Sequence, residues 1–128
     1  MTLHEIHRES FKNKEYFRKV IHQLNKDYGE ILVEIPSLIN EDFLPELLDQ
    51  LTERVSALLS GHADRFMHWC YRVDIPQARV ADLLIGKGSY SVAEEMAKLI
   101  LIREAQKVEL RAAWSKKEIN DSRSPQSS

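Results

Sequence analysis

Apolar residues recur along most of this chain at steps of three and four. The first clear stripe is Phe17, Val20, Ile21, Leu24 and Tyr28, a spacing that puts side chains on one face of an α-helix. Gly29 follows at once and offers a helix stop. Ahead of the stripe, "TLHE" at residues 2–5 has the form of a capping box, Thr2 with Glu5 three residues later. Leu3 and Ile6 supply too little apolar surface to hold a helix alone, so residues 1–10 are open to two readings, a short leading helix or a frayed end.

The next segment, "EILVEIP" at residues 30–36, is short, branched and apolar, which taken alone suggests a strand. No other segment offers it a strand partner, and a lone strand leaves its ladder unpaired. Two readings remain: an extended linker packed on the helices, or a strand paired across a dimer.

From about Asp42 a second stripe runs Leu44, Leu48, Leu51, Val55, Leu58, His62, Phe66, Trp69 and Val73, its steps alternating between four and three. Pro45 is tolerable in a first turn, where amides lack helical partners. The stripe crosses Gly61 without a slip, so one helix of roughly 30 residues is expected, with Gly61 able to bend it but not end it. "DIPQ" then reads as a restart, with Asp74 as the cap, Gln77 closing the box and Pro76 in the first turn. A short helix with Val80, Leu83 and Leu84 follows and stops at "GKG", residues 86–88.

"SVAE", Ser91 to Glu94, is another capping box, and the helix it opens is expected to reach about Lys117. On a helical wheel, Val92, Met96, Leu99 and Leu110 fall on one side and Ala97, Leu101, Ala105, Val108 and Ala112 nearly opposite. A helix apolar on two sides wants neighbours on two sides, either inside a bundle or across a second subunit. "NDSRSPQSS", residues 120–128, is polar and proline-broken and is expected to be disordered.

These elements predict an all-α fold: a single domain over residues 1–119, a helical bundle of four main helices. The 42–73 and 92–117 helices would form its long central pair, packed antiparallel. Phe66, Trp69, Met96, Leu99 and Ile100 are the expected core. Composition agrees, since only four glycines and four prolines interrupt 128 residues. The longest wholly apolar run, Leu99 to Ile102, is far short of the roughly 20 residues of a membrane span, so no membrane partner is expected. One cysteine makes no internal disulfide, and the first residues lack the apolar core of a signal peptide, so a cytoplasmic location is expected.

Charge is distributed unevenly. Residues 1–29 hold six basic and four acidic residues, net +2; residues 30–64 hold one and eight, net −7; residues 65–128 hold eleven and eight, net +3. An acidic middle between basic flanks can pair within the fold, pair across a dimer, or stay solvated.

The densest collection of reactive side chains is "GHADRFMHWCYRVDIP", residues 61–76. A metal or catalytic cluster needs these groups to converge, and a helix fixes their directions. With Leu44 at zero, His62 points near about 0°, Cys70 about 80°, His68 about −120° and Asp64 about 160°. They diverge, which excludes a zinc site built from this helix alone. His62 falls within the apolar stripe and is expected to be a buried or half-buried histidine, with a pH-sensitive core position as the sharper reading. Cys70 reads as a small core hydrophobe.

"HEIH" at residues 4–7 is one residue short of the zinc-protease spacing. "GKGS", residues 86–89, could present amides and Lys87 to an anion, which makes Lys87 and Ser89 ligand-binding candidates beside His62, although a plain turn explains the segment and a P-loop does not. No cofactor or metal is implied. The helix–turn–helix shape of residues 77–100 suggests a DNA reader, but the second helix opens with Glu94 and Glu95, unfavourable toward phosphates, so nucleic acid is not the expected partner. The expectation is a self-associating protein-interaction or scaffolding module. The alternatives are a helix-turn-helix-like regulator, or a small enzyme or ligand-binding protein whose site assembles between helices.

Overall fold

The computed structural model describes residues 14–37, 39, 42–85 and 89–123, with the side chains of 89–91 and 115–123 excepted. Five helices account for nearly all of it: α1 Lys14–Tyr28, α2 Phe43–Gly61, α3 Ala63–Val73, α4 Gln77–Leu84 and α5 Ser89–Arg123. No strand occurs among the described residues, and the fold is all-α. The capping box at Thr2 and Glu5, and the glycine turn at 86–88, lie outside the described residues.

α1 buries the stripe that its spacing marks out, with Phe17, Val20, Ile21 and Leu24 fully enclosed. Gly29 ends it in the left-handed region at φ +97°, its amide still bonded to the carbonyl of Asn25 at 3.0 Å. Residues 30–36 are a linker without helix or strand, not evenly extended but bent at Glu30 and at Leu32–Val33. The Asn25 side chain stands where a partner strand would. Its Oδ1 accepts from the amides of Leu32 (2.9 Å) and Val33 (3.0 Å), and its Nδ2 donates to the Val33 carbonyl at 2.8 Å. Those bonds satisfy backbone groups that a lone strand would leave open, and Val33 is buried beneath them.

The expected continuous helix over 42–73 is instead two. The chain leaves helical geometry at His62 (φ −143°, ψ 54°), which closes α2 through a 2.7 Å bond to Leu58 and opens α3. Glycine at 61 costs roughly 1 kcal/mol in a helix interior, and no heavy atom lies within 4 Å of where its Cβ would stand. Helix continuity there gains nothing from packing. The break re-aims α3, so that Phe66, Trp69, Cys70 and Val73 all enter the core while His62 stays outside as an exposed residue. Trp69 meets Tyr28 edge-on at 4.9 Å and Phe66 at 6.3 Å.

Asp74 does not cap α4. It ends α3 in the left-handed conformation (φ 73°), with the Asp74 amide bonded to the Tyr71 carbonyl and the Ile75 amide to that of Cys70 at 2.9 Å. This is a Schellman ending, closed by the buried pair Cys70 and Ile75. The Asp74 carboxylate is taken by Arg103 of α5 at 2.8 Å. α4 begins after Pro76 without a side-chain cap.

α5 begins at Ser89, so Ser91 lies inside it and is not its cap, and it continues to Arg123, past the expected end near Lys117. Asn120 to Arg123 of the expected disordered tail are therefore helical, and Ser124 to Ser128 lie outside the described residues. Its two apolar faces prove to be one stripe two residues wide: Val92/Ala93, Met96/Ala97, Ile100/Leu101, Glu104/Ala105 and then Val108 are all buried. A four-residue step over-rotates by about 40° on a helix of 3.6 residues per turn, so the stripe winds around α5. Successive portions of one face therefore look opposed on a wheel. The winding stripe meets α2 most extensively, then α1, with α3 and α4 also against it. Beyond Val108 residues 109–114 are exposed, Leu110 and Ala112 among them; Leu99 is half-buried.

Candidate functional site

The residues singled out by sequence are not brought together. His62 is exposed at the α2–α3 break, with His68 and Asp64 exposed along α3. Lys87 lies outside the described residues; Ser89 opens α5 with its side chain outside them. Cys70 is buried, and burial pushes its thiol up to about 12, so it is neither ionised nor accessible at neutral pH. Among the described residues no group of His, Cys, Asp and Glu could hold a metal ion. Nor, among them, is any helix long and apolar enough to cross a membrane. On the exposed side of α5, Glu94 and Glu95 lie within 3.4 Å and 3.7 Å of Lys98, which leaves carboxylates where a DNA-reading helix would need donors.

Two other features concentrate the polar chemistry, and both are built on α1. On its inner side, Asp27 is buried against α5. Its carboxylate accepts from Lys107 Nζ at 2.5 Å and from Gln23 Nε2 at 3.1 Å, while Lys107 also donates to the Arg72 carbonyl of α3 at 3.0 Å. Glu104, fully enclosed in the middle of the α5 stripe, completes the cluster, with Lys107 Nζ 3.7 Å from its Oε1. As a carboxylate Glu104 would hold two buried oxygens with no hydrogen-bond donor in reach. Burial foremost, then the neighbouring Asp27 charge, raises it to about 9, and in its neutral form it donates to Asp27. Burial alone would raise Asp27 as well, but hydrogen bonds from Glu104, Lys107 and Gln23 outweigh it and hold Asp27 below the ordinary carboxylate range. The cluster is thus one neutral carboxyl, one carboxylate and one ammonium, tying together α1, α3 and α5.

On its outer side α1 carries Lys14, Arg18, His22 and Lys26 at successive four-residue steps, about 6 Å apart along the axis, with Lys19 beside them and Glu15 the acidic exception. Lys14 and Arg18 are like charges at this spacing and oppose the helix by a few tenths of a kcal/mol. Among the described residues none of the three lysines nor Arg18 has a carboxylate partner.

This face borders a groove of about 820 Å3 that reaches Arg111, Val108 and Ala112 of α5 and Ile35 of the linker. The groove continues through His22 and Ile35 into a second depression, of about 760 Å3, along Lys26, Gly29 and Arg72. Across the linker lies a smaller depression, lined by Leu32 and by Gln50, Glu53, Arg54 and Ala57 of α2. Along α2 Glu46, Asp49 and Glu53 are exposed without cationic partners among the described residues, Glu53 lining that depression beside the exposed Arg54. The linker therefore forms a ridge between a mainly basic face, on which Glu15 and Glu34 are the acidic exceptions, and a mainly acidic one, on which Arg54 is the basic exception. On its α1 side Ile31 is 75% exposed, with Ile35 44% exposed further on. Glu30 at its start is held by an ion pair to Arg65, which also lies over the Tyr28 ring.

The four-residue basic ladder was visible in the sequence, as was a carboxylate in the apolar rows of α5. That Asp27 meets Glu104 and that the ridge separates two charged faces are matters of tertiary placement. No family model, no curated protein and no solved structure matches this chain. The fold and surface together define an all-α protein with a charged, two-sided groove surface, and the functional argument stands on that surface.

Proposed function

We propose that the chain is a cytoplasmic, self-associating helical protein-interaction module. The observation that carries this reading is the linker ridge, where large aliphatic side chains stand exposed between uncompensated cations on α1 and uncompensated carboxylates on α2. An apolar centre with a polar, charged rim is the anatomy of a protein–protein contact, and the two signs are present on one surface in a self-complementary arrangement. The buried Asp27–Glu104–Lys107 cluster contributes by fixing α1 to α5, which makes the α1 face a rigid platform and lowers the entropy that association must overcome.

Sedimentation equilibrium or multi-angle light scattering of the purified chain, over a wide concentration range, tests the reading. A concentration-dependent approach to twice the chain mass of 14.9 kDa is expected. A monomer at every concentration overturns it.

A second reading has one observation in its favour. The groove of about 820 Å3 joins apolar lining from Tyr16, Ile35, Val108 and Ala112 to cations from Arg18, Lys19 and Arg111, which suits an amphiphilic anion such as a long-chain carboxylate. Calorimetric titration with oleate below its micellar range would show saturable binding at one site per chain.

A further inference from the structure

We infer that self-association is a two-fold dimer in which the basic α1 face of each copy lies on the acidic α2 face of the other, about an axis running along the linker ridge. This deepens the self-association reading and rests on it. The linker residues line depressions on both of their sides, Ile31 and Ile35 toward α1 and Leu32 toward α2. The two charged faces are therefore neighbours on one surface of one molecule. A rotation of 180° about an axis lying along that ridge turns a second copy face-down and exchanges left for right. Its α2 then stands over the first copy's α1, and its α1 over the first copy's α2. Each contact occurs twice and the assembly closes, as an isologous interface requires.

Charge chooses this occupant over others. Lys19 and Lys26 meet Asp49 and Glu53 of the second copy on both flanks, with Glu15 and Glu34 on the α1 side and Arg54 on the α2 side as the charges of opposite sign within each face. A nucleic acid crossing the ridge would set phosphates against Glu46, Asp49 and Glu53. An acidic helix from another protein would match only the α1 half. Ile31, 75% exposed on the α1 side of the ridge, packs close to the axis against the second copy, where burying it removes the most exposed aliphatic side chain of the linker from water.

Charge swapping on the full chain tests the pairing. One variant carries Lys19→Glu and Lys26→Glu, and a second carries Asp49→Lys and Glu53→Lys, all at exposed helix positions. Far-UV circular dichroism of each confirms the fold. Each variant alone sets like charges against like in both contacts, and its dimer dissociation constant is expected to rise at least about tenfold. An equimolar mixture restores the dimer mass, because the acidic α1 of one variant now meets the basic α2 of the other. A wild-type dimer whose dissociation constant neither variant changes overturns this interface and leaves self-association standing through another surface. Variants that each dissociate but do not recombine on mixing overturn the α1–α2 pairing. A wild type that is monomeric throughout overturns both the inference and the reading beneath it. Saturable oleate binding abolished by the lysine reversals, together with an unchanged dimer, assigns the groove to a small ligand and overturns the pairing.

Discussion

Glu104 offers the sharpest quantitative test of how this core is held. Its carboxyl is fully enclosed and raised to about 9 from an ordinary 4.5. Between those values the folded chain keeps a proton that the unfolded chain has released. The unfolding free energy therefore falls as pH rises, by about 1.4 kcal/mol per pH unit, to a total on the order of 6 kcal/mol by the time the folded group ionises. That is comparable with the whole stability of an ordinary domain, about 5–15 kcal/mol. Asp27 acts in the opposite sense and in a different window. Its folded value is lowered, so its contribution is present above the ordinary carboxylate range and lost only as pH falls through it.

The perturbation is Glu104→Gln, which keeps an N–H to donate to Asp27 and removes the titration. Urea unfolding of both proteins, at unit intervals from pH 5 to pH 9, is expected to show the variant's free energy nearly level where the wild type's declines. The difference between them should widen by about 1.4 kcal/mol per unit, so by about 4 kcal/mol between pH 5 and pH 8. Parallel curves would refute the reasoning, since they would mean that Glu104 ionises in the folded chain at its ordinary value.

Other consequences of the structure can be measured as simply. Gly61→Ala meets no neighbour within 4 Å and should stabilise the α2 end by about 0.4–1 kcal/mol, read as a rise in thermal midpoint. Gly29→Ala, at φ +97°, should instead cost about 1–2 kcal/mol in the same assay, from backbone strain and not from crowding. Tyr28→Phe removes a buried hydroxyl that has no hydrogen-bond partner, so stability should stay level or rise by up to about 1–2 kcal/mol; a loss of stability would show that the hydroxyl is bonded. Cys70, its thiol pushed up to about 12 by burial, should resist a disulfide reagent at pH 8 in the native chain and react at once in denaturant; rapid native labelling would contradict its placement.

Sequence periodicity sufficed for the helices because the three-and-four spacing is a property of local geometry. Phe17 to Tyr28, Leu44 to Leu58 and the paired rows of α5 each bury the face their spacing marks out. Gly29 stopped α1 for an equally local reason, its freedom to adopt positive φ. Even the basic ladder at 14, 18, 22 and 26 is a one-dimensional fact.

The departures share one cause: energies that belong to contacts between distant segments. The stripe through Gly61 and His62 is unbroken in sequence, yet the chain breaks there because bringing Phe66, Trp69, Cys70 and Val73 into a common core outweighs one glycine-weakened turn. Asp74 has the form of a helix cap, but it closes α3 and pairs with Arg103, 29 residues away. Residues 30–36 read as a strand lacking a partner until the Asn25 side chain supplies the hydrogen bonds. A carboxylate at 104 and another at 27 are unremarkable in the sequence, and only packing α1 on α5 buries them beside one another and shifts one up and the other down. Local spacing thus determined which segments are helical and which faces they bury. Tertiary structure decided where helices break, which caps are used and which charges face one another, because burial and desolvation are set by neighbours that the sequence does not place.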